Sequence, residues 1–143
     1  MKRSVVACVV VAALVGVPAP CRENSEPDRI VVQHILISFK AKTGRFVDRN
    51  KKEAETLAKE VLELARAGED FDQLVRKYTD DSAPGIHRMT NFKVEAMAAE
   101  TPRDGMVKYF GDVAFSLEVG EVGLAEFHAT RSPYGWHVIK RLE

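Results

Sequence analysis

The chain has 143 residues, enough for one domain with its own hydrophobic core. Its 21 Lys and Arg balance 21 Asp and Glu, and setting aside Lys2 and Arg3 leaves 19 basic residues against 21 acidic ones, which excludes the basic footprint of a nucleic-acid binder. Two cysteines are present, Cys8 and Cys21, both near the N-terminal end, so the folded part has no disulfide framework and its core must hold by packing.

Lys2 and Arg3 form a short basic start, and Val5 to Val17 is apolar or small throughout. That run has the length of a secretion-signal core and is too short to span a bilayer comfortably, so residues 1–21 are expected to be a processing signal; a buried N-terminal helix or strand is the alternative. Val17-Pro18-Ala19 has the small-x-small pattern of a cleavage site, with Pro20 after it, while Cys21 suggests a lipid-modified terminus. A released protein and one tethered to a membrane through a lipidated Cys21 both stay open, and both are extracytoplasmic. Residues 22–29 are polar, carry Pro27 and read as a tether, leaving residues 30–143 as the folded domain.

A strand is predicted from Ile30 to Ser38. Both its faces are apolar apart from Gln33 and His34, the signature of a central strand covered on two sides. Asn50 followed by Glu53 is a capping-box pattern, and Ala54, Leu57, Ala58, Val61, Leu62 and Ala65 recur at helical spacing up to Gly68. Asp70 caps a second, short helix that buries Phe71, Leu74, Val75 and Tyr78. A polar loop over 79–85 leads to a short extended piece around Met89 to Phe92. Ala96 to Glu100 favours helix before Pro102 and Gly105 break it. A third helix is predicted over Met106 to Leu117, then a strand over Leu124 to His128.

Ser132-Pro133-Tyr134-Gly135 reads as a tight turn into a last strand, Trp136 onward. Strand alternation puts His137 and Ile139 on one face, Trp136 and Val138 on the other. If the first and last strands pair, His34 and His137 can share one sheet face. The order β-α-α-β-α-β-β predicts an α+β fold, with a small antiparallel sheet of about four strands flanked by three or four helices. His34, His87, His128 and His137 show no metal-ligand spacing, so no metal is expected.

Four landmarks in series resemble the parvulin-type peptidyl-prolyl cis-trans isomerase (rotamase) family over Val31 to Leu142. They are His34-Ile35-Leu36-Ile37; Phe71-Asp72-Gln73-Leu74 with Tyr78-Thr79-Asp80-Asp81-Ser82; Phe110 to Val122; and Tyr134-Gly135-Trp136-His137-Val138-Ile139. One segment departs from the family's G-D-L-G-x-F pattern. Here it reads His87-Arg88-Met89-Thr90-Asn91-Phe92, keeping only Phe92, and extra residues follow before Phe110.

The resemblance implies rotation about an X-Pro amide, whose barrier of roughly 18–20 kcal/mol reflects C–N conjugation. The catalyst must bind the twisted amide better than either planar form, without a covalent bond and without a cofactor. Carried over by position, His34 and His137 are the paired histidines, Asp81 stands near the rotating carbonyl, and Ser132 hydrogen-bonds into the histidine network. Met106 and Phe110, four apart on one helix face, line the proline pocket with Met89, Phe92 and Tyr134. Ordinary core packing for the apolar residues, a satisfied buried pair for the histidines, a loop cap for Asp81 and a turn residue for Ser132 are the alternatives. The expected partners are proline-containing unfolded or extended polypeptides bound by a monomer. The basic residues Lys40, Lys42 and Arg45 would favour an acidic residue before proline, or simply form a solvated loop. Two functions follow from different classes: an isomerase assisting the folding of exported or envelope proteins, or a catalytically weak peptide-binding module of the same fold.

Overall fold

The structure is a computed structural model that describes residues 25–40 and 47–143. The expected processing signal over 1–21, Cys21, the first part of the tether and the basic residues Lys42 and Arg45 lie outside the described residues. Five strands form one sheet. β1 (Arg29–Ile37), β2 (Ile86–Thr90), β3 (Thr101–Pro102), β4 (Val122–Ala125) and β5 (Trp136–Arg141) stand in the order β3-β2-β1-β5-β4. The α+β class and the order of the main elements are as predicted. The fifth strand is the addition: two-residue β3 pairs in parallel with β2, so the sheet is mixed rather than wholly antiparallel.

β1 is the central strand, paired antiparallel with β2 over its first half and with β5 over its second. That position explains its apolar character on both faces. One face carries Ile35, Ile37, Trp136 and Val138, covered by α1 (Lys51–Arg66) and α2 (Phe71–Tyr78) through Ala54, Ala58, Val61, Leu62, Phe71, Leu74 and Val75. The other carries Ile30, Val32, Met89, Ala125 and Ile139, covered by α3 (Lys108–Ser116) through Phe110, Ala114 and Phe115. Gln33, the odd polar residue on the α1/α2 side, is satisfied there by Asp72 Oδ1 at 2.7 Å and the Pro84 carbonyl at 2.9 Å.

The local signals act as read. The Asn50 side chain accepts from the Glu53 amide, and the Glu53 carboxylate accepts from the Asn50 amide. Asp70 accepts from the Gln73 amide at 3.0 Å and starts α2. The third helix begins later than predicted. Arg103–Gly105 forms a 3-10 turn, Met106 is extended, and α3 starts at Lys108. The segment Ala96–Glu100, expected to be helical, is not. Arg29 reaches across to the Glu95 carbonyl and the Glu100 carboxylate, and Ala99 takes φ +68°, so long-range contacts set a conformation that helix propensity opposes. No helix among the described residues is long and apolar enough to cross a membrane.

Candidate active site

The pairing of β1 with β5 decides where the histidines lie. His34 stands opposite Ile139 and His137 opposite Leu36, so both imidazoles point to the α3 side. Their Nδ1 atoms are 3.2 Å apart, and both rings meet the edge or face of Phe110 from α3, at centroid distances of 5.2 and 5.3 Å. His34 is 3% exposed and His137 5%. Burial, the like charge of neighbouring His87 and a weaker opposing pull from Asp81 leave His34 with a pKa of about 4. Burial, then His34 and His87, lower His137 to about 3. Both rings are therefore neutral at pH 7.

The proton arrangement follows from the partners. One of the two facing Nδ1 atoms must donate to the other. If His137 donates, His34 carries its proton on Nε2, which faces Asp81 Oδ2 at 3.5 Å. If His34 donates, a bare Nε2 faces that carboxylate, and His137 is left with a buried N–H that has no partner among the described residues. The first arrangement places donor against acceptor and leaves only an unfilled lone pair, so it is favoured. The result is a chain running from His137 through His34 to the Asp81 carboxylate.

Asp81 is held there by the second half of β1. Beyond Gln33, β2 no longer pairs with that edge, and the loop after α2 supplies the missing partners. The His34 amide donates to the Gly85 carbonyl at 2.9 Å, the Leu36 amide to Thr79 Oγ1 at 3.2 Å, and the Ser38 amide to Asp80 Oδ2 at 2.7 Å. Arg49 also pairs with Asp80. A Cβ on Gly85, at φ +68°, would lie 2.6 Å from the His34 carbonyl oxygen, so glycine alone permits the approach. Asp81 thus caps its own loop, accepting from the Ser82 amide at 2.8 Å, while its other oxygen faces His34.

Ser132 differs from expectation. It is fully buried, but its hydroxyl donates to the Gly135 carbonyl at 3.1 Å and holds the turn, rather than bonding the histidine pair. That turn is what delivers His137: Ser38 Oγ donates to the Tyr134 carbonyl at 2.6 Å, tying it to the end of β1.

The expected apolar residues divide by depth. Met89 and Phe110 are fully buried under α3 and form a floor. Met106 lies ahead of α3 rather than on it, half-buried against that floor. Phe92 and Tyr134 are exposed. A hollow of about 260 Å³ opens between Phe92, Arg103, Met106, Lys108, Asp104 and Asp112.

Sequence reasoning missed two residues. His87 on β2 brings a third imidazole to the same sheet face, 4.9 Å from His34 between ring centroids and 5.8 Å from Phe110. Alternation within β2 carried that signal once its pairing with β1 was known. Arg103, 8% exposed, is sandwiched between the rings of Phe92 and Phe115 and bonded to Glu26, Asn91 and Asp112. Nothing local in the sequence marks it.

The family model described as PPIC-type PPIase domain matches residues 21–143. The chain belongs to the PPIC-type PPIase family, the parvulins. Among curated relatives, the chaperone SurA of Chromohalobacter salexigens is 31% identical over 123 residues, covering 82% of this chain and 24% of the relative. The foldase protein PrsA 4 of Bacillus cereus is 35% identical over 86 residues, covering 60% of this chain and 27% of the relative. The chain therefore spans about a quarter of the length of these relatives. Among solved structures, the solution structure of TbPIN1 superposes with a TM-score of 0.60 at 18% identity, covering 81% of this chain and 98% of that one. A crystal structure of a PpiC-type peptidyl-prolyl cis-trans isomerase domain gives 0.54 at 13% identity, covering 80% and 89%. These two likenesses establish the parvulin fold.

Proposed function

We propose that this parvulin-type domain is a peptidyl-prolyl cis-trans isomerase acting on X-Pro bonds of extended polypeptides. The observation that carries the reading is the neutral His34–His137 pair, 3.2 Å apart, ending at the Asp81 carboxylate. In the favoured tautomer such a chain has one direction, and a dipole that needs no reorganisation can favour the twisted amide over the planar one. Asp81, with its side chain 48% exposed, is the member of the chain that substrate can reach. His34 and His137 act behind it. The half-buried Met106 and exposed Phe92 and Tyr134 supply apolar contact for the proline ring, above the floor of Met89 and Phe110. The mechanism uses no metal, cofactor or covalent intermediate. We further propose an extracytoplasmic monomer, released or held by a lipidated Cys21, that assists the folding of exported proteins; the similarity to a chaperone and a foldase supports the folding role.

A peptide isomerisation assay on the full chain, with His34→Ala and Asp81→Ala beside it, tests the reading. Catalysis that each substitution weakens well beyond its effect on stability is expected; wild-type rates in both variants would remove the catalytic assignment. The second reading is a peptide-binding module without turnover. The complete burial of Met89 and Phe110 favours it, and peptide binding without rate enhancement would select it.

A further inference from the structure

The proposed isomerase site has an unequal set of polar groups. A twisted amide offers acceptors: a carbonyl oxygen out of conjugation, and a nitrogen that has regained its lone pair. Only the nitrogen becomes a better acceptor as the amide twists; the oxygen loses the negative charge that conjugation gave it, so the transition state calls for a hydrogen-bond donor at nitrogen. Asp81, as a carboxylate, only accepts. Ser132 is fully buried and commits its proton to the Gly135 carbonyl. His34 and His137 are almost fully buried and spend their facing nitrogens on each other.

His87 is placed differently. It stands opposite Val32 in the β1–β2 register, which puts its ring on the α3 side with the other two imidazoles. It is the half-exposed ring of the three. It packs against His34 at 57° between ring planes and meets Phe110 edge to face. Neither of its ring nitrogens makes a hydrogen bond among the described residues. Burial lowers its pKa, against an upward pull from Asp81. A neutral imidazole still carries one N–H.

We propose that His87 is a catalytic residue of the same site, donating its ring N–H to the nitrogen of the twisted X-Pro amide, beside Asp81 and the apolar residues. The proposal rests on the isomerase reading. It adds a donor on the β2 side of the site, within reach of solvent and so of substrate, next to a ring pair that substrate does not reach.

The experiment compares the full chain with His87→Leu, which keeps bulk and removes the donor, and His87→Asn, which keeps a side-chain N–H. The measurements are kcat/KM for a short X-Pro peptide and the ¹⁵N resonances of the His87 ring during titration with that peptide. His87→Leu is expected to lose about tenfold in kcat/KM, the equivalent of one neutral hydrogen bond, mostly in kcat and at unchanged melting temperature. His87→Asn is expected to recover part of that loss, and the ring nitrogens of the wild-type chain to shift at saturating peptide. Turnover indifferent to His87→Leu overturns this proposal and leaves the isomerase reading intact. Peptide binding without turnover overturns the isomerase reading and the catalytic role of His87 with it, and with turnover present, unmoved His87 resonances at saturating peptide overturn this proposal alone. Absence of both turnover and peptide binding overturns the two readings together.

Discussion

Acid should unfold this domain through its buried histidines before its carboxylates titrate. Unfolded, His34 and His137 return to a pKa near 6.5; folded, they are held at about 4 and about 3. Folded values below unfolded ones mean that the unfolded chain binds more protons as pH falls. The stability is therefore complete above pH 6.5 and is lost progressively through the window from 6.5 down to about 4 and 3. From these values, going from pH 7 to pH 5 costs about 2 kcal/mol for each ring, about 4 kcal/mol for the pair, a large part of the 5–15 kcal/mol that holds a domain. Ordinary carboxylates change little above pH 5, and His87, whose pKa burial also lowers, adds to the loss in the same direction. Urea unfolding at pH 7, 6 and 5 measures it. With a slope of about 1–3 kcal/mol per molar urea, the midpoint should fall by 1 M or more. His34→Asn removes one titrating ring, and the pH-dependent part of the loss should drop by about 2 kcal/mol. A midpoint that does not move between pH 7 and 5, or moves as much in His34→Asn as in the wild type, would refute the neutral buried pair.

Gly135→Ala should be severely destabilising. The residue sits at φ +146°, and a Cβ there would lie 2.3 Å from the Ile37 carbonyl oxygen, so the turn must shift and carry His137 with it; thermal melting should fall by at least the equivalent of about 2 kcal/mol. Arg103→Leu leaves the solvent-exposed carboxylates of Glu26 and Asp112 without their shared guanidinium and removes the plate between Phe92 and Phe115; a loss of about 1–2 kcal/mol in urea unfolding is expected. Asn50→Ala removes one half of the capping box on α1 and should cost about 1 kcal/mol in the same assay, with no change in peptide affinity.

What could be read in the sequence was whatever a local period or cap encodes. β1 shows itself by apolar residues on both faces, α1 by its spacing and the Asn50–Glu53 box, and β5 by alternation after a proline-glycine turn. Those suffice to put His34 and His137 on one face. The stretch from Asn91 to Met106 resisted because its structure is built from distant partners. Asn91 bonds the Pro27 carbonyl and Arg29 the Glu95 carbonyl, while Lys93 and Ala99 sit at φ +64° and +68°, a conformation that neither residue type advertises. The extended Met106 follows from the 3-10 turn before it, which moves the start of α3 two residues on from the predicted Met106. Ser132 shows a related limit. Its residue type suits either partner, and only the geometry of the turn selects the Gly135 carbonyl over an imidazole.

The rebuilt segment bears on function because it replaces flexibility with anchorage. Two non-glycine residues in the left-handed region cost about 1–2 kcal/mol each, and such strain persists only where surrounding contacts over-determine it. Here Arg29 and Arg103 supply those contacts, one pinning the middle of the segment to β1, the other clamping its end to α3 and to Glu26. Phe92 and Met106 sit at the two ends of the clamped stretch and share a hollow with Arg103. The segment that departs from the family's glycine-bounded turn is thus held by ion pairs and hydrogen bonds at its middle and its end. A rotation that makes and breaks no covalent bond depends wholly on surfaces held still while the amide turns. In the proposed site, the ties along the segment hold Phe92 and Met106 by other residues than the family's glycines.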